Sequence, residues 1–369
     1  MRILVYGTGP LGSLFAARLQ AAGHDVSILA RGQRLADLRE HGIVLEDALS
    51  GERTTTRVNI VEQLAPDDAY DLVVVLMRKN QVTAILPVLA ANRRTSNILF
   101  MGNNVAGPAE YIDALGRERV LLGFGSAGGM RAGYVMRVIA ERRGRKAAVT
   151  IGEVDGCITP RLRDMASVFE SAGFQAVLSA NMDAWLKSHA AVISPIALAL
   201  YMAGGDNYRL ARTRDAMLLG VRAMRESFRV LRALDIPLMP PALRVYEWLP
   251  EPILVPLAQR LFNTRAAEIA VAGHAGAARD EMKQIADEFR ALARSTTVTT
   301  PVLDQLYTYL DPTVPTIADG SAQIPLNWRG VWIGLGAMAA TTAALILAVR
   351  ILVRRYSFRI PASTFRIPR

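Results

Sequence analysis

The feature that most constrains this chain is a glycine turn close to its start. Gly7-Thr8-Gly9-Pro10-Leu11-Gly12 follows a short apolar run, Ile3-Leu4-Val5-Tyr6. Leu11 to Leu19 then repeats apolar residues at helical spacing. Gly23 ends that pattern, and Val26-Ser27-Ile28-Leu29 reads as a second strand. Strand, glycine turn, helix and strand within about 30 residues is the setting in which G-x-G-x-x-G holds a dinucleotide. Each glycine has its own reason. Gly7 permits the tight turn, Gly9 lets a pyrophosphate approach the backbone, and Gly12 lets the helix pack closely on the strand. The N–H groups that open the helix favour the phosphate charge. Gly7, Thr8, Gly9, Pro10, Leu11 and Gly12 are therefore the candidate cofactor loop. The blander alternative is a glycine turn in an α/β domain that binds nothing.

A chain of 369 residues is long enough for about two domains, each with its own core. The single cysteine, Cys157, excludes an intrachain disulfide. The four histidines are scattered without metal-ligand spacing, so no metal is expected. Met1 leads straight into the first strand, which points to a cytoplasmic body. The net charge of +10 is concentrated at one end. Six arginines (350, 354, 355, 359, 366 and 369) follow residue 349, with no acid among them. The basicity is a tail property and gives no reason to expect a nucleic-acid partner.

The end of the second strand carries the cofactor choice. An acid there holds the ribose 2′-hydroxyl of NAD, whereas a cation suits the 2′-phosphate of NADP. This chain has Arg31 and Arg34 there and no carboxylate beside them. Arginine matches phosphate through paired donors, so NADP(H) is favoured and Arg31 is the candidate contact. Two further runs, 42–45 and 55–58, read as short strands of a hairpin. Asp71 to Met77 is nearly all apolar, as expected for a strand buried on both faces of a parallel sheet. Arg78-Lys79-Asn80-Gln81 follows at its carboxyl end, where ligands bind in such sheets. Ile98 to Met101 and Val120 to Gly125 are two more strands, and 147–152 is expected to close the sheet.

The chain resembles the ketopantoate reductase family, the 2-dehydropantoate 2-reductases. The features that carry this are the glycine turn, the arginine after strand two, Asp71-Leu72-Val73-Val74-Val75, Asn103 after the next core strand, and Thr150-Ile151-Gly152-Glu153. The resemblance extends to about residue 310. It implies an α/β Rossmann-type N-terminal domain followed by an all-helical C-terminal domain. The expected bounds are 1–158 for the NADP-binding domain and 159–310 for a helical substrate and dimerisation domain, a homodimer being one assembly it allows. Helical patterns at 160–172, 181–202, 210–234 and 265–294 agree with the second domain.

The resemblance also implies roles. In Trp185-Leu186-Lys187 the lysine occupies the family position that acts as acid and orients the keto oxygen. Lysine suits that task because partial burial makes it a readier proton donor. Glu281, 20 residues before Pro301, matches the glutamate that holds a substrate hydroxyl, with Glu288 as the fallback. Asn103 would lie near the nicotinamide or the substrate. Arg78, or Lys79 by a one-residue slip, would place a cation near the nicotinamide ribose or a substrate carboxylate. The match weakens after Lys187. The family has an asparagine four residues on and another just before a proline, whereas this chain has Ala191, and Ser194 before Pro195. Ser194 is the substitute substrate contact. His189 and His274 read as structural or surface residues, although His274 and Glu281 are spaced to share a helix face. For each charged candidate the competing reading is an ordinary solvated side chain.

The expected activity is reduction of a small 2-oxo acid by NADPH, with ketopantoate to pantoate the default by resemblance. Two alternatives stand beside it: a tethered NADP(H)-binding sensor or scaffold without turnover, and a reductase for a different, more apolar carbonyl. The tether is a tail reading. After a Pro-rich linker at 311–329, residues 330–349 carry no charge, and 350–369 is Arg-rich. At 1.5 Å per residue, 20 helical residues span about 30 Å, the thickness of a bilayer core. A single C-terminal transmembrane or membrane-associated helix is the expectation, anchoring a cytoplasmic body.

Overall fold

The computed structural model describes residues 1–142, 144–332, 341 and 344–351. Strand β1 (Arg2–Tyr6), helix α1 (Pro10–Ala21) and strand β2 (Asp25–Leu29) come first. Helix α2 (Gly32–His41) leads to β3 (Ile43–Asp47), β4 (Arg53–Thr56) and β5 (Asn59–Val61). Next come β6 (Leu72–Val75), the single turn α3 (Lys79–Val82), α4 (Leu86–Ala91), β7 (Ile98–Met101), α5 (Ala109–Leu115) and β8 (Val120–Gly125). Four short strands follow: β9 (Gly128–Ala132), β10 (Val135–Ile139), β11 (Glu141–Arg142) and β12 (Arg145–Lys146). Strand β13 (Ala148–Glu153), helix α6 (Pro160–Ser171) and strand β14 (Gln175–Leu178) end the α/β part.

The main sheet has eight strands in the order β14-β13-β8-β7-β6-β1-β2-β5. All neighbours are parallel except β8 and β13. The order reverses between β1 and β6, so the crevice at the carboxyl ends of those two strands is where such sheets bind ligands. Residues 3–5 and 72–75 are almost wholly buried because helices cover both faces. The predicted hairpin forms as β3 and β4. It belongs to a second, four-stranded sheet, β4-β3-β10-β9, packed over α1.

The expected boundary at residue 158 falls inside this domain. Thr159 caps α6 through its side chain, and Leu162, Met165 and Phe169 point into the same core as Ile3 and Val5. Strand β14 then pairs with β13 and takes the sheet edge that 147–152 was expected to hold. Helix α6 has a strong apolar stripe, and a stripe alone does not say which domain it covers.

The second part of the chain is helical. Helix α7 (Met182–Met202) and helix α9 (Arg214–Ala233), with α8 (Asn207–Arg212) between them, form its centre. The pattern at 210–234 is thus interrupted, with the buried Thr213 between α8 and α9. Helices α10 (Val245–Trp248) and α11 (Glu251–Phe262) follow the proline-rich stretch. The 265–294 pattern is broken as well. It runs as α12 (Arg265–Ala267), a π turn at Glu268–Ala272, α13 (Gly273–Ala277) and α14 (Arg279–Arg294), ahead of α15 (Pro301–Tyr307). Ala278 leaves the helical region at φ −131°, which re-aims the start of α14.

The 311–329 linker is strapped to the helical body. Asp215, buried at the start of α9, accepts hydrogen bonds from Ser321 Oγ and from the amides of Gln323 and Ile324. Burial alone would raise its pKa, but these bonds prevail and hold the carboxyl below the usual range. Arg209, Arg212 and Arg222 hold Ile317, Asp319 and Pro325 in turn. The membrane span expected at 330–349 lies largely outside the described residues. Among the described residues no helix is long and apolar enough to cross a membrane.

Candidate active site

The glycine loop joins β1 to α1 at the switch point. Gly7 has φ +130°, and a Cβ there would stand 2.3 Å from the Leu76 carbonyl oxygen. A Cβ on Gly12 would stand 1.9 Å from the Gly7 carbonyl oxygen. Both positions are closed to any side chain. Gly9 differs: it is exposed, and a Cβ there would meet nothing within 4 Å. The backbone around Gly9 therefore borders open space at the first turn of α1, where the amides have no helical acceptor. That space suits a pyrophosphate, so the loop residues present fit a dinucleotide.

The two arginines after β2 have separate fates. Arg34 is buried, donating to Ser13 Oγ (3.1 Å) and the Tyr134 carbonyl (3.2 Å) behind the loop. Arg31 stays exposed; its Nε donates to the Glu62 carbonyl (3.0 Å), and its guanidinium also meets the Tyr6 hydroxyl. Of the pair, Arg31 is the exposed one.

Across the crevice, several segments meet at Glu281, buried in the first turn of α14. Asn103 Nδ2 donates to Glu281 Oε1 at 3.2 Å, and the Lys79 amide approaches the same oxygen at 3.5 Å. His274 Nε2 lies 3.6 Å from Glu281 Oε2, but across the break at Ala278: the two stand on α13 and α14 and not on one helix face as expected. Asn103 Oδ1 is buried with no partner among the described residues. Glu288 is two turns away and caps the amides of Val105 and Ala106. It ties the loop after β7 to α14, whereas Glu281 meets Asn103.

Arg78 and Asn80 both bind Asp280, and Arg78 also donates to the Ala277 carbonyl at 2.6 Å. Arg78 thus ties the sheet to α14 and is engaged in a domain contact. Lys79 does not face the cleft. Its Nζ lies under the sheet's end, 3.3 Å from Tyr111 Oη and 4.8 Å from the centre of that ring. The cation that a one-residue slip would bring to the substrate is enclosed, and Tyr111 is held neutral by burial.

Lys187 lies on α7 with 12 % of its side chain exposed and forms an ion pair with Asp183 one turn earlier. Gly107 passes close to its Nζ. Beside it, Phe124, His189 and Trp185 form a stack, with centroids 4.2 Å apart for Phe124 and His189 and 5.4 Å for His189 and Trp185. Burial, with a smaller contribution from the His274 charge, pushes the His189 pKa down to about 4. His189 is therefore a neutral aromatic wall at ordinary pH. Ser194 Oγ is buried with no partner among the described residues, and Ala191 is fully buried. Asp183 and Asp280 are absent from the residues singled out by sequence. The i, i+4 spacing of Asp183 and Lys187 was a readable signal for the first. Nothing local marks Asp280. Among the described residues no group of His, Cys, Asp and Glu has metal-holding geometry.

The family description ketopantoate reductase PanE/ApbA matches residues 3–156. A 2-dehydropantoate 2-reductase of Nostoc sp. is 26 % identical over 184 residues, 47 % of this chain. That match spans 54 % of the Nostoc protein, about half its length. The crystal structure of 2-dehydropantoate 2-reductase from Geobacter metallireducens is 17 % identical with a TM-score of 0.69, covering 85 % of this chain and 100 % of that one. The ternary structure of D-mandelate dehydrogenase with NADH and anilino(oxo)acetate is 16 % identical with a TM-score of 0.69, covering 85 % and 97 %. At these identities the two structures establish the fold, through both parts of the chain. Residues 3–156 form a ketopantoate reductase PanE/ApbA family domain, and the chain as a whole shares the fold of these solved structures.

Proposed function

We propose that the chain is an NADPH-dependent reductase of a small 2-oxo acid. The observation that carries this is the convergence on one crevice of an open glycine loop, Asn103, Glu281 and Lys187. Bound NADPH would supply a hydride to the carbonyl carbon. Lys187 Nζ gives a proton to the carbonyl oxygen, leaving a 2-hydroxy acid. Asp183 holds Lys187 aimed before that transfer. Glu281 accepts from a substrate hydroxyl, and Asn103 orients the nicotinamide side of the cleft with its amide oxygen, which has no partner among the described residues. Arg31, exposed at the end of β2, meets the 2′-phosphate through its guanidinium.

Ketopantoate is the default substrate. A second reading is favoured by the Phe124–His189–Trp185 stack beside Lys187, together with Ala191 where the family has asparagine. These suit a 2-oxo acid bearing an apolar or aromatic group, and the D-mandelate dehydrogenase neighbour holds a ligand of that kind. NADPH absorbance followed with ketopantoate and with phenylglyoxylate, and NADH as control, separates the readings. Oxidation of NADPH with neither acid, while NADPH binding persists, would sink both and leave the non-turnover sensor. The uncharged run at 330–349 supports a C-terminal membrane tether for a cytoplasmic body. Failure of the full chain to float with vesicles would remove it.

A further inference from the structure

Helix α11 has two apolar faces. Leu254, Val255 and Phe262 pack into the helical core, whereas Ile253, Leu257 and Leu261, one per turn, stand 46, 49 and 50 % exposed. A surface helix ordinarily keeps polar residues on its outer face. At its N-terminal end, Trp248 is 70 % exposed. The strap reaches the same point: the Asn327 amide donates to Glu251 Oε2 at 2.8 Å, and Gly330 lies against Pro250. Trp328 and Trp332 flank that contact, 50 and 66 % exposed. Three of the four tryptophans in the chain are therefore exposed around one end of one helix.

The charge on this side has one sign. Glu247 and Glu251 are each paired with an arginine, Arg232 and Arg222. Arg244, Arg260 and Arg329 are exposed with no carboxylate partner among the described residues. Apolar side chains flanked by tryptophan and arginine match the boundary of an anionic bilayer, where indole rings sit at headgroup level and arginines meet lipid phosphate. The chain also leaves the body here. The uncharged run begins at Gly330, and in the helical stretch 344–351 Leu345, Leu347 and Val349 are again more than half exposed.

We propose that α11, with Trp248, Trp328 and Trp332, is a membrane-docking face that lays the helical domain flat on an anionic bilayer. The proposal rests on the tether reading for its proximity to lipid and adds a second, separate contact. A tether alone leaves the body free to tumble, whereas this face sets the orientation of the cleft relative to the lipid.

The test uses the full chain. Leu257→Cys in a Cys157→Ser background carries the environment-sensitive dye NBD on the α11 face. The unaltered chain, labelled at its exposed Cys157, is the control. Both meet vesicles of phosphatidylcholine with about one third phosphatidylserine. The expected result is a several-fold, blue-shifted rise in emission at position 257 and none at 157. Adding Ile253→Asp and Leu261→Asp should cancel the rise while the protein still sediments with vesicles. Sedimentation without any change at 257 overturns the docking face and leaves the tether. No sedimentation and no change overturns both. A rise at 257 that follows protein concentration without vesicles overturns lipid in favour of a second copy.

Discussion

The two walls of the crevice are built in opposite ways. The glycine loop is open: Gly9 faces empty space, and its binding groups are backbone amides fixed by β1 and α1. The opposite wall is closed on itself: Lys187 is paired with Asp183, Glu281 with Asn103 and His274, and Arg78 with Asp280. A backbone site costs little to keep empty because its amides stay solvated. A side-chain site buries charge, and buried charge needs a partner whether or not a substrate is present. In the function proposed above, the cofactor wall would be preformed and the substrate wall would exchange its internal partners for the substrate's groups.

That contrast can be tested, beginning with the largest effect. Lys187→Ala should lower turnover by about 10²- to 10⁴-fold, the range for a positioned general acid. NADPH affinity, read by fluorescence titration, should hardly change; a parallel loss of affinity would show that the walls are not separate.

The glycines divide the cofactor wall itself. Gly12→Ala drives a Cβ into the Gly7 carbonyl and should cost on the order of 3 kcal/mol or more of stability in denaturant unfolding. Gly9→Ala, at a position open on all sides, should leave stability within about 0.5 kcal/mol and still weaken NADPH binding. Equal destabilisation by both would contradict the open loop.

Arg31→Ala should reduce the preference for NADPH over NADH by about tenfold or more, in line with about 1.5–3 kcal/mol for hydrogen bonds to a charged group. Arg34→Ala should instead lower stability, because Arg34 is buried against Ser13. The ratio of kcat/KM for the two cofactors is the readout.

His189 gives the pH dependence. Its pKa falls to about 4 in the folded protein from 6.5 unfolded. Between those values the unfolded chain binds the proton and the folded chain does not. This contribution is complete above about pH 6.5 and is lost as pH falls through about 4. The loss should be on the order of 2 kcal/mol, since the half-buried ring keeps some water contact. His189→Phe should flatten the unfolding midpoint over that window, and an unchanged slope would show that His189 is not its source. Asp280→Asn, which weakens the exposed Arg78 tie, should cost less than about 1 kcal/mol and serves as the smallest probe of the closed wall.

Legibility followed the same division. The glycine turn, the buried strands and the cation after β2 were readable because each is a run of neighbouring residues with one local cause. Lys187 and Glu281 came from resemblance; in the structure Glu281 meets Asn103 and Lys187 pairs with Asp183. Lys79 could not be placed by reading. Arg78 and Lys79 are adjacent, and only the turn of α3 decides that one meets α14 and the other goes under Tyr111. The boundary at 158 failed for a similar reason, because the stripe on α6 fits either core.

By itself the sequence determined a dinucleotide-type α/β domain, its phosphate loop and a helical second half. Those follow from periodicity, from glycine's missing Cβ and from chain-local hydrogen bonding. Tertiary structure decided that Arg34 is buried against Ser13 while Arg31 is exposed, that Asn103 and His274 meet Glu281, that Arg78 meets Asp280, and that Ile253, Leu257 and Leu261 of α11 stay exposed among the described residues. Those outcomes depend on which distant segments pack together, and no local pattern encodes the partner of a side chain up to two hundred residues away.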